Sequence, residues 1–124
     1  MKKFSFEVPT KEMLNANRRE HHYIHGKKAA KLRETARECI PHVDEPMFNY
    51  YTVEVIVKAP TRRRMDPPNI YPTVKPLVDG LTDTGIWEDD SYEYMHSMTF
   101  RYGGLSGIKG NYLIELIIRE VDKP

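Results

Sequence analysis

The sequence predicts an α+β fold, a single domain over residues 1–124 in which a mostly antiparallel four-stranded sheet carries two main helices on one face. Three observations carry this expectation. Four segments have β-type composition, two have helical patterning, and strands and helices do not alternate strictly enough for a doubly wound parallel sheet. At 124 residues the chain suits one domain, which at this size buries roughly two-thirds of the surface its unfolded chain exposes.

Phe4, Ser5, Phe6, Glu7 and Val8 alternate apolar and polar, the pattern of a short half-buried strand ended by Pro9. Lys11 to Gly26 is polar, rich in Asn, Arg and His and without period, so it is expected to form a long loop or arm. Lys27 to Cys39 reads as a helix, with Ala29, Ala30, Leu32, Ala36 and Cys39 as its apolar stripe and Pro41 closing it. Tyr50 to Lys58 is the clearest strand, because β-branched and aromatic residues dominate it. Pro60 to Asn69 is expected as a loop. A second helix then starts near Thr73, which leaves Pro76 in the first turn, where its missing N–H is not needed, and ends at Thr84-Gly85. A strand from about Tyr92 to Tyr102, a glycine-rich turn over Gly103 to Gly110 and a strand from Tyr112 to Glu120 complete the chain as a hairpin-like pair.

The single cysteine, Cys39, excludes an internal disulfide framework and an all-cysteine zinc site, and makes a reducing compartment the expectation. No apolar run approaches the roughly 20 residues of a membrane span, and the N-terminus alternates instead of forming a signal-peptide block, so a soluble, cytoplasmic protein is expected. The net charge of +1 conceals clustering. Basic residues bunch at Arg18, Arg19, Lys27, Lys28, Lys31 and Arg33 and again at Arg62, Arg63 and Arg64; acids bunch at Asp79, Asp83, Glu88, Asp89, Asp90 and Glu93. For a partner as charged as nucleic acid, that distribution matters more than the sum.

Three features converge on a candidate site: the run Arg62-Arg63-Arg64 just before Asp66, Lys75 on the following helix, and Glu88-Asp89-Asp90 just after it. A magnesium-type cation takes a few carboxylate oxygens, keeps several waters and binds phosphate. Such an ion activates water and neutralises charge building on a phosphate during cleavage. A lysine adds a positive donor to the same transition state, and arginines track the flanking backbone by forked contacts. A solvated acidic turn beside a solvated basic edge produces the same pattern, and from spacing alone that plainer account carries more weight.

The stretch Arg62-Arg63-Arg64-Met65-Asp66-Pro67-Pro68-Asn69, then Lys75, Leu77-Val78-Asp79-Gly80-Leu81 and Thr84-Gly85-Ile86-Trp87-Glu88-Asp89-Asp90, resembles the core of RusA-type crossover junction endodeoxyribonucleases. In that family, arginines lead into Asp-x-Asp-Asn, then a helix with an essential lysine and Asp-Ala-Leu, then Gly, an aromatic or aliphatic residue, and Trp-x-Asp-Asp. The motifs cover about a quarter of the chain, and the order of elements around them also fits. The resemblance implies Asp66 and Asp90 as metal-site aspartates and Lys75 as the essential lysine, with Asp66, Lys75 and Asp90 catalytic. It further implies Mg²⁺ (or Mn²⁺, which shares the preference for oxygen ligands), and Arg62, Arg63, Arg64, Asn69, Lys27 and Lys28 on the DNA. Lys75 and Asp79 keep the family's i, i+4 relation, which puts them on one helix face, although the helix lies a few residues farther from Asp66, around Ile70-Tyr71-Pro72, than the family pattern has it. The departure is Pro68, which stands where the family has its second aspartate. Asp79, Asp89 or the side-chain carbonyl of Asn69 could complete the site. The form Asp-Pro-x-Asn followed by Tyr-Pro-Thr-x-Lys resembles a phage and actinobacterial variant of the family.

The function this implies is a metal-dependent endonuclease that resolves four-way DNA junctions by paired nicks in recombination and repair, as a homodimer, because two symmetric cuts need two sites. Two other readings stay open: a branched-DNA-binding protein that cleaves weakly or not at all because of Pro68, and an interaction protein with no nucleic-acid role. The cluster His21-His22-Tyr23-Ile24-His25 lacks partners for a four-ligand zinc site and is expected in a loop. His42 and His96 are single, Cys39 is expected in the core, and Trp87 as an anchor against it. Gly103-Gly104-Leu105-Ser106-Gly107 has no Lys-Ser/Thr ending and is expected as a flexible turn. Tyr92, Tyr94, Tyr102 and Tyr112 are expected to pack on the sheet rather than stack on bases.

Overall fold

β-branched residues concentrate in the segment Tyr51–Ala59, and the structure, a computed structural model describing residues 1–124, gives that segment the interior of the sheet. The elements in chain order are β1 (Lys2–Pro9), a 3-10 turn (Thr10–Glu12), α1 (His22–Arg37), β2 (Tyr51–Ala59), a second 3-10 turn (Pro67–Ile70), α2 (Tyr71–Asp83), β3 (Met95–Leu105) and β4 (Asn111–Glu120). The 4-stranded sheet has the order β1-β4-β2-β3. β4 is antiparallel to both β1 and β2, and β3 is parallel to β2, so the α+β architecture with a mostly antiparallel sheet holds. No helix is long and apolar enough to cross a membrane.

The period of two along the strands decides which face is covered. Phe4, Phe6 and Val8 from β1, Val53, Val55 and Val57 from β2, and Ile114, Leu116 and Ile118 from β4 are buried in one core with Leu32 and Ala36 of α1 and Val74, Leu77, Val78 and Leu81 of α2. The two helices also pack closely on each other. A side chain at Gly80 would place its Cβ 2.2 Å from the backbone oxygen of Arg33 and 2.7 Å from the Ala36 Cβ, so a residue without a side chain is what lets α2 approach α1. Beside this contact, Asp83 accepts a two-pronged pair from Arg33, at 2.7 and 2.8 Å.

Four sequence expectations are corrected. The last two strands are not a hairpin, since β2 lies between β3 and β4. β2 takes the centre because its inward residues Tyr51, Val53, Val55, Val57 and Ala59 are all buried, while β3 carries Ser97, Thr99 and Arg101, has no fully buried residue and tolerates an edge. The glycine-rich segment is not all turn: Gly103 and Gly104 belong to β3, at a register shift opposite Val57 and Ala59, and only Ser106–Gly110 connects the strands. The first helix starts at His22 instead of Lys27, capped by His21, whose Nδ1 accepts from the Tyr23 N–H at 3.2 Å. Helix continuation there overrides the unpatterned composition. The second helix starts at Tyr71, directly from the 3-10 turn, so Pro76 is interior and not in the first turn. Its ring is buried against the core, and that burial offsets one lost backbone hydrogen bond. As expected, Thr84 and Gly85 stop α2, with Gly85 at φ 87°.

Two smaller differences follow from these shifts. Cys39 falls after the end of α1 and is exposed, and Tyr92 precedes β3 and is 84% exposed. Trp87, 1% exposed, does anchor the core.

The open face of the sheet is polar, and one carboxylate there is nearly enclosed. Glu115, 4% exposed, pairs with Lys3 and with Lys58 at 2.8 Å. The ammonium of Lys3, and then that of Lys58, hold its carboxyl below the usual glutamate range. A depressed folded-state value stabilises the protein fully above the unfolded value of about 4.3, and the contribution fades as pH falls through the lower folded value. Urea midpoints from about pH 7 to about pH 3 should therefore fall for the wild type and fall less steeply for Glu115→Gln. Equal slopes would mean that Glu115 contributes nothing to acid unfolding.

Candidate functional site

α2 and the turn after it bring three of the expected residues together. Lys75 and Asp79 lie one helical turn apart on α2, and Gly85 reverses the chain so that Asp90 returns beside them. The Lys75 ammonium donates to Asp79 Oδ1 at 2.6 Å and to Asp90 Oδ2 at 2.7 Å. Burial pulls the Lys75 pKa down, but the two carboxylates outweigh it and hold the lysine protonated beyond its ordinary range. Burial likewise pushes Asp90 up, and the hydrogen bond and charge of Lys75 reverse this, so Asp90 stays ionised below the usual range.

The turn is tied to the core by aromatic packing. Trp87 stacks on Tyr51 with ring centroids 4.3 Å apart and planes 17° from parallel, and its Nε1–H donates to Thr82 Oγ1 at 2.7 Å. The Tyr51 hydroxyl donates to the Asp89 carbonyl at 2.8 Å. Asp89 Oδ1 accepts the Asp90 N–H at 2.8 Å, so Asp89 shapes the turn that presents Asp90.

Asp66 stands elsewhere. It caps the 3-10 turn through its backbone, with the Asn69 N–H donating to its carbonyl at 2.9 Å, while its carboxylate makes no cap bond and no ion pair. It opens into a cleft of about 630 Å³ together with Arg63, Arg64 and Asn69. None of Lys75, Asp79, Asp89 or Asp90 lines this cleft. Pro68 forms part of the 3-10 turn and supplies no ligand.

The donor set suits one kind of metal site and not another. The ammonium of Lys75 occupies the point where one oxygen each of Asp79 and Asp90 converge, which leaves the second oxygen of each carboxylate free for an ion. A magnesium-type ion needs only one or two carboxylates when water and substrate phosphate complete its shell. No group of three or more His, Cys, Asp or Glu side chains gathers anywhere in the chain. The pair thus fits an ion shared with phosphate and does not fit one caged by protein.

The arginines divide sharply. Arg33 and Arg37 pair with Asp83, and Arg101 and Arg119 with Glu54. The remaining five, Arg18, Arg19, Arg62, Arg63 and Arg64, have no carboxylate within ion-pair reach, are exposed, and lie in the two segments that border the cleft. Lys28 is neutralised by Glu20 at 2.5 Å, whereas Lys27 lies over the Tyr23 ring at 5.5 Å without an acidic partner. Of the basic residues expected at a DNA surface, Arg62, Arg63, Arg64 and Lys27 are available to an anion and Lys28 is engaged.

From the sequence the arm is a long loop of a length that more often serves function than filler, but Asn15, Asn17 and Arg18 are not among the expected site residues. Asn15, Asn17 and Arg18 face Arg63 and Arg64 across the cleft because the arm is pinned from behind. The buried Thr73 hydroxyl accepts the Leu14 N–H at 2.7 Å and donates to the Leu14 carbonyl at 2.6 Å, and the Ala16 N–H donates to the Asn69 carbonyl at 2.8 Å. The polar, asparagine-rich composition of the arm was the available signal; the contact partner was not. No protein-family model matches this sequence, and no curated protein matches it either.

Proposed function

We propose that the protein is a RusA-like, metal-dependent endodeoxyribonuclease selective for four-way or other branched DNA. The observation that carries the reading is the lysine held between two carboxylates beside a turn, together with a cleft lined by the unpaired Arg18, Arg63 and Arg64. A divalent ion of the magnesium type, when bound, supplies an activated water and neutralises phosphate charge. Asp79 and Asp90 would hold such an ion through the carboxylate oxygens that Lys75 leaves free, and Asp89 holds the turn that fixes Asp90. Lys75 keeps its proton and can donate it in a hydrogen bond to a phosphate oxygen as charge develops there. Arg62, Arg63 and Arg64, with Lys27, neutralise flanking phosphates, and Asp66 limits the positive charge at the cleft. Because phosphate contacts position the protein without reading sequence, selectivity rests on junction shape. Paired nicks call for two sites, so a homodimer and a cytoplasmic role in DNA recombination or repair belong to this reading.

The alternative is a branched-DNA-binding protein without efficient cleavage. What favours it is that no third acidic ligand joins Asp79 and Asp90. Incubation of a labelled four-way junction and of a linear duplex with the protein, with Mg²⁺ or with a chelator, separates the two. Paired, metal-dependent nicks at the branch are expected, with binding that weakens steeply between about 50 and about 200 mM salt. Tight, salt-sensitive binding with no nicks would establish the binding protein instead, and no binding to any DNA would remove both.

A further inference from the structure

The cleft that holds Asp66 is larger than a phosphate requires. Its volume of about 630 Å³ falls within the roughly 300–1,000 Å³ of small-molecule sites. Its lining is also chemically divided. Arg18, Arg63 and Arg64 bring positive charge and Asp66 is the only acid, so an anion is favoured. Met13, Met65 and Tyr112 bring an apolar and aromatic surface, and all three also pack against the buried core, which holds them in place. Asn17 and Asn69 bring side-chain amides that make no hydrogen bond within the protein, each with a donor and an acceptor side by side. An anion site alone has no use for the last two groups.

We propose that this cleft receives one unpaired nucleotide of a DNA strand, with its phosphate on the arginines, its base against Met13, Met65 and Tyr112, and its polar edge on the amides of Asn17 and Asn69. The proposal rests on the branched-DNA reading for its source of unpaired bases. A base inside a duplex cannot enter such a cleft without leaving its stack, and that cost is least where pairing is already broken, as at a branch. Aromatic stacking tolerates any base, whereas paired amides distinguish base edges, so the cleft is where this protein would read sequence. The arm Thr10–Arg18 forms one wall, pinned at Leu14 to Thr73 and at Ala16 to Asn69, and this makes the cleft a preformed feature of the fold.

Photocrosslinking tests it. Four-way junctions carrying 4-thiothymidine at successive positions beside the branch are bound in Ca²⁺, irradiated and mapped by peptide mass spectrometry. A single-stranded tetranucleotide carrying the same base is treated in parallel. The expected result is a crosslink from one branch-proximal position to Met13, Met65 or Tyr112, reduced about tenfold by Asn17→Leu, which removes one of the two amides, and by Arg18→Glu, which replaces one of the three arginines by an acid. Both positions are exposed, and neither side chain makes a hydrogen bond or ion pair with the rest of the protein, so the variants keep the fold. A bound junction whose crosslinks all fall outside the cleft would overturn the nucleotide site and leave the branched-DNA reading standing. An unbound junction with a cleft crosslink from the tetranucleotide would keep the site and overturn the branched-DNA reading. No cleft crosslink from either DNA would overturn the nucleotide site.

Discussion

Asp90→Asn should reduce metal-dependent nicking of a four-way junction by about 10²-fold or more while leaving junction affinity in Ca²⁺ within a few-fold of wild type. The reason is local. Asp90 accepts the Lys75 ammonium through Oδ2 and has its other carboxylate oxygen to offer a cation, and the asparagine keeps the size of the side chain but loses the charge on both. Lys75→Met should lose cleavage to a similar extent but change metal binding in the opposite sense. With the ammonium gone, Asp79 and Asp90 have no counter-charge, and calorimetric titration with Mn²⁺ should show tighter binding than in the wild type. If Lys75 were only the structural counter-ion of the two aspartates, added metal would replace it, and both stability and nicking would return to Lys75→Met. Persistent loss of nicking alongside tighter metal binding assigns the lysine to the phosphate.

The largest effect on stability is expected from Trp87→Ala, a loss of about 3–5 kcal/mol, read as a fall of about 10–20 °C in the thermal midpoint. Trp87 is buried, stacked on Tyr51 and tilted against Phe48 at 6.5 Å, and its removal leaves a cavity in the core and removes the hydrogen bond that Thr82 Oγ1 accepts. The ring and the acidic turn are coupled through Tyr51, whose hydroxyl holds the Asp89 carbonyl. Tyr51→Phe keeps the stack and removes only that bond, so it should cost about 1–2 kcal/mol and impair nicking more than its stability loss explains. Equal activity of Tyr51→Phe and wild type at a temperature where both are folded would show that Trp87 and Tyr51 serve the core alone.

Much of this protein was legible residue by residue. Alternation in Phe4–Val8 and the β-branched run of Val53 to Val57 determined two strands, because a period of two leaves no other way to bury one face. The spacing of Lys75 and Asp79 already put those two on one helix face, and the return of Asp90 to the same lysine came from the fold. Local rules failed where a neighbour outweighed them. Pro76 inside α2 is tolerated because its ring is buried, and the last two strands are separated because β2 has the stronger claim to the sheet centre. Only the tertiary structure placed Asp66 beside the N-terminal arm, in a cleft that Lys75, Asp79 and Asp90 do not line. The arm is held there by the buried hydroxyl of Thr73, bonding Leu14 across 59 residues of sequence, and by the Ala16 N–H on the Asn69 carbonyl. No period or propensity encodes such a contact, since it becomes favourable only when both backbone groups of Leu14 have already lost their water.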